Sequence, residues 1–287
     1  MSTSNYTDNP PPQLLTLGNG NGNDTRRIAI RARSGASPGL FWLGGFMSDM
    51  QGTKAAAIDH FAKNQNRACV RFDYSGHGES TGEFKEGTIG RWLEESLAVF
   101  ETYCEGPQVV IGSSMGGWLA LLLAKALRQR QPAKQSIAGL VLIAPAVDFT
   151  EVLISQKLPE EMRQEIEQQG FLLQPSEYSE QPYCITRQLL EEGRNHLLLG
   201  QTIETTCPVR IIQGMEDVDV PWTHVSELLP AFSGGDVVLT LIKDGDHRLA
   251  RPQDINRLLT VVQEFTAHPF EKRGDTCSKC GFKVRLK

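Results

Sequence analysis

Apolar residues recur along the chain in short blocks, each bounded by glycine, proline or polar runs. Blocks at 39–43, 68–72, 108–111, 137–143, 208–212 and 237–242 are too short for helices and read as buried strands. Two further strands are predicted at 14–17 and 26–33. The glycine- and asparagine-rich run between them supplies residues that tolerate a positive φ, as a hairpin connection requires. Longer segments alternate with these blocks. Ile89, Trp92, Leu93, Leu97 and Phe100 step along 88–103 at helical spacing, and 53–63 and 116–130 also read as helices. A last helix over 252–265 opens on Pro252.

Short apolar strands alternating with helices require crossovers. The fold class expected is therefore α/β, with a mostly parallel central sheet, helices on both faces, and ligands bound beyond the carboxyl ends of the strands. Residues 149–206 break the rhythm. They hold a Gln/Glu-rich helical part at 158–169, a turn-rich piece with Pro175 and Pro182, and a second helical part at 185–193. So long a segment is uncommon for a plain loop, and it reads as a helical cap inserted into a core made of 13–148 and 207–270. Residues 1–12 read as a flexible arm and 271–287 as a basic tail.

Composition narrows the function. With 287 residues, 40% hydrophobic and a net charge of −5, the chain is neither a disordered segment nor built around a nucleic-acid groove. No apolar run is long enough to cross a membrane, so stable membrane insertion is not expected. The polar start resembles neither a signal nor a transit peptide, which leads to an expected cytoplasmic location. Cys69, Cys104, Cys184 and Cys207 are scattered and read as reduced thiols. The sequence carries no signal for oligomeric state.

The strongest chemical signal is Gly112-Ser113-Ser114-Met115-Gly116, a G-x-S-x-G pattern between a strand and a helix. Ser114 is the candidate nucleophile. Gly112 and Gly116 keep strand and helix from colliding around it, and the Met115 amide sits at the helix start, where an oxyanion would form. Serine needs a base. Of His60, His77, His196, His224, His247 and His268, only His247 falls just after a late strand. Histidine needs an orienting carboxylate, and Asp217, Asp219 and Glu216 compete after another strand, with Asp217 preferred. A second oxyanion donor is expected from the loop beginning Gly44-Gly45, whose glycines allow close approach; the Phe46 amide is the candidate. Met47, Met50 and Met115 are candidate linings of an acyl-accepting surface.

Together Gly44-Gly45-Phe46, Gly112–Gly116, Asp217 and His247 resemble the α/β-hydrolase superfamily over roughly 14–265. Met47-Ser48-Asp49-Met50-Gln51-Gly52-Thr53-Lys54-Ala55, Phe72-Asp73-Tyr74-Ser75-Gly76-His77-Gly78-Glu79-Ser80, Ala144-Pro145-Ala146-Val147-Asp148-Phe149-Thr150 and Asp246-His247-Arg248-Leu249 narrow the resemblance. They are similar to the branch of mitochondrial palmitoyl-protein thioesterases and acyl-glucuronide esterases and its bacterial relatives. The resemblance implies cleavage of acyl thioesters or carboxylic esters of a small-molecule or acyl-chain substrate. It implies Ser114, Asp217 and His247 as the triad, Phe46 and Met115 as oxyanion donors, a structural role for His77, and no cofactor.

Alternatives remain on the same residues: carbon–carbon bond hydrolysis, lipase chemistry, or a non-catalytic binding protein on a hydrolase fold. In the tail, Cys277 and Cys280 form half of a zinc-knuckle pattern. Structural zinc takes four ligands, so this is a weak signal for metal, and a reduced unliganded tail is the leading reading.

Overall fold

The computed structural model describes residues 11–18, 25–130, 135–174 and 182–267. Its centre is an eight-stranded sheet in the order β1-β2-β4-β3-β5-β6-β9-β10. The first strands, β1 (Gln13–Leu17) and β2 (Arg26–Arg33), pair antiparallel, and β2 runs antiparallel to β4 (Arg67–Phe72). From β4 onward all pairings are parallel, through β3 (Ala36–Leu43), β5 (Pro107–Ser113), β6 (Ser136–Ile143), β9 (Val209–Gly214) and β10 (Val237–Ile242). The alternating reading is thus a mostly parallel sheet with an antiparallel edge, the α/β-hydrolase fold.

The side-chain period of two divides the strands between two cores. Phe41, Leu43, Val110, Leu140 and Leu142 pack on one face with α2 (Ile89–Tyr103) and α3 (Met115–Gln129). Leu40, Trp42, Val109, Ile111, Val141 and Ile143 pack on the other with α1 (Thr53–Asn64) and α7 (Pro252–Thr266). Both faces are buried, which is why these strands read as continuous apolar runs rather than alternating ones. The helices start where sequence chemistry places starts. The Thr88 hydroxyl accepts from the Arg91 amide at 3.2 Å and caps α2, and Pro252 opens α7.

Between β6 and β9 the chain leaves the sheet and builds a cap. A π-helical turn at Thr150–Ser155 leads to α4 (Glu160–Gln169), β7 (Phe171–Gln174), β8 (Tyr183–Thr186) and α5 (Arg187–Gly193). The cap is therefore not purely helical. The turn-rich piece carries an antiparallel ribbon, with Phe171 paired to Thr186 and Gln174 to Tyr183. Ile185, expected in a helix, is a strand residue. A short α6 (Trp222–Leu228) follows β9, where no helix was expected. Among the described residues no helix is long and apolar enough to cross a membrane. The N-terminal arm up to residue 10, most of the β1–β2 turn, His268, and the tail with Cys277 and Cys280 lie outside the described residues.

Candidate active site

Every parallel strand that bears on the site ends at the same edge of the sheet. Ser114 stands between β5 and α3 with φ 55° and ψ −120°, a conformation a non-glycine residue adopts only when its surroundings enforce it. The enforcement is visible. The Ser114 amide donates to the Ile143 carbonyl at 2.8 Å, and its carbonyl accepts from Gly117 at 2.9 Å and Ala146 at 3.1 Å. A Cβ on Gly112 would meet the Gly116 carbonyl oxygen at 2.2 Å, and one on Gly116 the Leu43 carbonyl oxygen at 2.1 Å. The two glycines are thus required by close approach, as the motif suggested.

His247 lies in the loop after β10. Its Nε2 is 3.1 Å from the Ser114 Oγ and its Nδ1 is 2.8 Å from the Asp217 Oδ2. The Asp217 side chain is fully buried, while the His247 side chain is 16% exposed. Asp217 also accepts backbone donors, Asp219 at 3.0 Å and Val220 at 2.8 Å, both on Oδ1. Its Oδ2 takes a second bond from the Gln213 amide nitrogen at 3.0 Å. That same Gln213 nitrogen donates to the carbonyls of Gly214 at 3.0 Å and Val220 at 2.9 Å. Three acceptors around one nitrogen fix the orientation of this wholly buried amide. Of the competing acids, Asp217 hydrogen-bonds His247; Glu216 is exposed and its amide bonds the Gly245 carbonyl, and the exposed Asp219 lines the cavity.

The loop after β3 forms the opposite wall. Ser48 turns back on the Gly45 carbonyl through both its amide, at 3.2 Å, and its hydroxyl, at 2.8 Å. The end of β4 and the chain after it hold this loop at several points. Tyr74 donates to the Gly44 carbonyl at 3.3 Å, and Asp73 accepts the Met50 amide at 2.6 Å. Arg71 donates to the Met50 carbonyl at 2.7 Å, and the His77 Nε2 accepts the Met47 amide at 3.2 Å. His77 is buried, and its Nδ1 donates to the Ser75 carbonyl at 3.2 Å. Burial therefore pushes its imidazole down to about 4, and it sits in the fold as the neutral ring. His77 supports the loop and does not line the cavity. The roles of Asp73, Tyr74, Arg71 and Gln213 were missed at the sequence level. The contacts of Arg71, Asp73 and Tyr74 link segments far apart in the chain, whereas Gln213 acts within its own turn but matches no motif that marks it.

Phe46, Met47, Ser114, Met115 and His247 line one cavity of about 540 Å³. The Met115 amide is in the first turn of α3, where an N–H has no intrahelical acceptor. Met50 is not part of this surface: it is fully buried beneath the loop, with the Arg31 guanidinium 3.5 Å from its sulfur, which corrects the expectation of a lining role. Phe46, Phe149, Leu153, Ile154, Tyr183 and Ile185 are the cavity's apolar lining, contributed by loop and cap; Asp49, Lys54, Lys157, Asp219 and Arg248 are its charged lining. Lys54 donates to the Arg248 carbonyl, and burial together with the nearby Arg248 charge pulls its ammonium down to about 8. The remaining histidines are elsewhere: His60 is exposed on α1, His196 pairs with Glu192 at 2.6 Å, and His224 is buried in α6.

Comparison with known proteins places this geometry. Residues 43–219 match the family model described as serine aminopeptidase, S33. The chain belongs to the α/β-hydrolase superfamily, whose membership supports hydrolytic, serine-dependent enzymatic activity of that general class. Within it, the chain is closely related to the mitochondrial protein ABHD10 and to bacterial hydrolase homologues. It is 37% identical over 242 residues to "Palmitoyl-protein thioesterase ABHD10, mitochondrial" of Homo sapiens, covering 84% of this chain and 77% of that protein. A solved hydrolase from Agrobacterium vitis S4 is 45% identical with a TM-score of 0.85, covering 89% of this chain and 99% of that one. The α/β-hydrolase domain-containing protein 10 from mouse is 33% identical with a TM-score of 0.77, covering 89% and 98%. The expected cytoplasmic location is overturned here, because the curated relatives are all named as mitochondrial proteins. The absence of a transit-like start was the wrong ground for assigning a compartment.

Proposed function

We propose that this protein hydrolyses acyl thioesters or carboxylic esters, with Ser114 as nucleophile, His247 as base and Asp217 as the carboxylate that orients it. The observation that carries this reading is the unbroken relay from Ser114 Oγ to His247 Nε2, at 3.1 Å, and from His247 Nδ1 to Asp217 Oδ2, at 2.8 Å, on the wall of a cavity. The Asp217 carboxylate favours the Nδ1–H tautomer, which leaves Nε2 free to accept the serine proton.

Ser114 attacks the acyl carbonyl as His247 takes its proton. The amides of Phe46 and Met115 receive the oxyanion, where one lost donor costs ~2.7–4 kcal/mol in transition-state stabilisation. His247 then returns its proton to the leaving sulfur or oxygen, and water repeats the sequence on the acyl-enzyme. The apolar wall under the cap suits the acyl chain, and the side of His247 receives the leaving group. The thioesterase named for the relatives supports a thioester as one substrate class. In this reading 13–148 and 207–270 are the hydrolase core and 149–206 the substrate-covering cap.

The test is intact-protein mass after treatment with a fluorophosphonate, together with rates on matched acyl thioesters and oxygen esters. A single adduct and turnover on the native chain, both lost in Ser114→Ala with a fall in kcat of at least ~10³-fold, are expected. Turnover that survives in a folded Ser114→Ala protein would overturn the reading.

A further inference from the structure

We infer that Asp219 is a positioning residue for His247, a second carboxylate that shares with Asp217 the work of holding and stabilising the protonated imidazole. The inference rests on the proposed roles of Ser114, His247 and Asp217. A carboxylate oxygen of Asp219, one of Asp217 and a ring nitrogen of His247 all lie within 4.8 Å of one another. Asp219 lines the cavity beside His247, while Asp217 lies buried behind it. One turn sets both acids, since the Asp219 amide donates to the Asp217 Oδ1 at 3.0 Å.

This cluster has the composition of a metal site, but the directions around Asp217 are already used. Its oxygens take His247, Gln213 and the amides of Asp219 and Val220, and a carboxylate offers about four such positions. A carboxylate pair against one imidazole is the chemistry that fits.

The surroundings supply the reason for a second acid. When Ser114 gives up its proton, His247 becomes a cation on a wall that already carries two. Lys54 reaches it from α1, and Arg248 is the next residue on the same loop. Lys157 faces the cavity from the cap. Asp246, on the base loop, has one oxygen engaged by the Leu249 amide at 2.9 Å, and Asp49, on the loop after β3, accepts the Gln51 amide at 2.8 Å. Asp219 is the carboxylate within reach of both Asp217 and the ring. Its negative charge favours the imidazolium as that forms.

The experiment is a double-mutant cycle on hydrolysis of 4-nitrophenyl butyrate by the full chain: native, Asp219→Asn, Asp217→Asn and the double variant, each across pH. Asp219→Asn alone is expected to lower kcat by about threefold with KM unchanged, and to move the acid limb of the profile to lower pH. In the Asp217→Asn background the same substitution is expected to cost at least about tenfold, and Asp219→Glu in that background to keep most of the residual rate. The Asp219 side chain is exposed and asparagine is isosteric, so thermal midpoints should stay together and mark any loss as catalytic. An equal cost in both backgrounds, an effect on KM alone, or an unmoved acid limb would overturn the inference while leaving the triad intact. Full activity in Ser114→Ala, run alongside, would instead remove the functional reading and this inference with it.

Discussion

Gln213 shows how much of a site can depend on a residue with no chemistry of its own. Its buried amide nitrogen holds the Asp217 carboxylate and two carbonyls of the surrounding turn. Gln213→Leu fits the space but releases Asp217, and is expected to lower kcat by ~10–100-fold with KM within about threefold, read from steady-state kinetics. His77 makes a second residue-scale prediction, through pH. The unfolded chain takes up this proton near 6.5, whereas burial delays it in the fold to about 4. Between those values the unfolded state binds more protons, so the stability from neutral His77 is complete above pH 6.5 and declines as pH falls toward 4, by up to roughly 3 kcal/mol. Urea unfolding at pH 7.5 and 4.5 should show a smaller acid loss in His77→Gln, whose amide oxygen can still accept the Met47 N–H. An unchanged loss would mean that other groups set the acid limit. Ser114, Gly112 and Gly116 were legible in the sequence because they form one contiguous pattern, although Gly116 is crowded by Leu43 of β3 and Ser114 is held by Ile143 of β6. Tyr74 and Asp73 were not, because each acts on the loop after β3, which only the sheet brings to it; Gln213 acts within its own turn, on Gly214, Asp217 and Val220, but matches no motif that marks it.

At the scale of elements, the core strands were legible and the cap was read only in part. Burial on both faces makes β3, β5 and β6 continuous apolar runs, a signal that survives short length. The cap ribbon has only four residues on each strand, with Leu172 buried between the exposed Phe171 and Leu173, too short a period to separate from a loop. The cap is tied down at identifiable points. Glu192 on α5 accepts the Gly90 amide at the start of α2 at 3.0 Å. Asp148, where the chain leaves the core, accepts the Leu198 amide at 2.9 Å and the Leu199 amide at 2.7 Å, joining the two ends of the cap. Asp148 is buried, and burial raises its carboxyl while these amides oppose the rise. Removing it leaves two N–H groups without their acceptor. Asp148→Ala is therefore expected to cost about 2–4 kcal/mol in urea unfolding and to loosen the cap, seen as faster backbone exchange at 198–199. Unchanged stability would show that water replaces the carboxylate at no cost.

Across the whole molecule, the parallel crossovers explain why residues far apart in the chain meet. Each of β3, β5, β9 and β10 delivers its following loop to one edge, and the proposed oxyanion donor, nucleophile, orienting acid and base arrive on those loops in turn. The insertion after β6 folds back over the same edge, so the cap becomes part of the site rather than an appendage. Phe46 is where the two meet. Its ring lies 4.9 Å from Phe84 and 6.0 Å from Trp92 on the core side, and 5.7 Å from Phe149 and 5.9 Å from Tyr183 on the cap side. In the proposed mechanism Phe46 also carries one of the oxyanion amides, so there the cap would bear on the acyl side of the reaction centre. Tyr183 is half-buried on β8 and lines the same cavity as Ser114 and His247 from the cap. Tyr183→Ala removes apolar wall that a long acyl chain would cover and a butyryl group would not reach. The expected outcome is a rise in KM of about three- to tenfold for a dodecanoyl or longer thioester, at ~25 cal/mol for each Å² of acyl surface left facing water, with butyryl turnover nearly unchanged. Equal effects on both chain lengths would place the acyl group elsewhere in the cavity and leave the cap a structural cover.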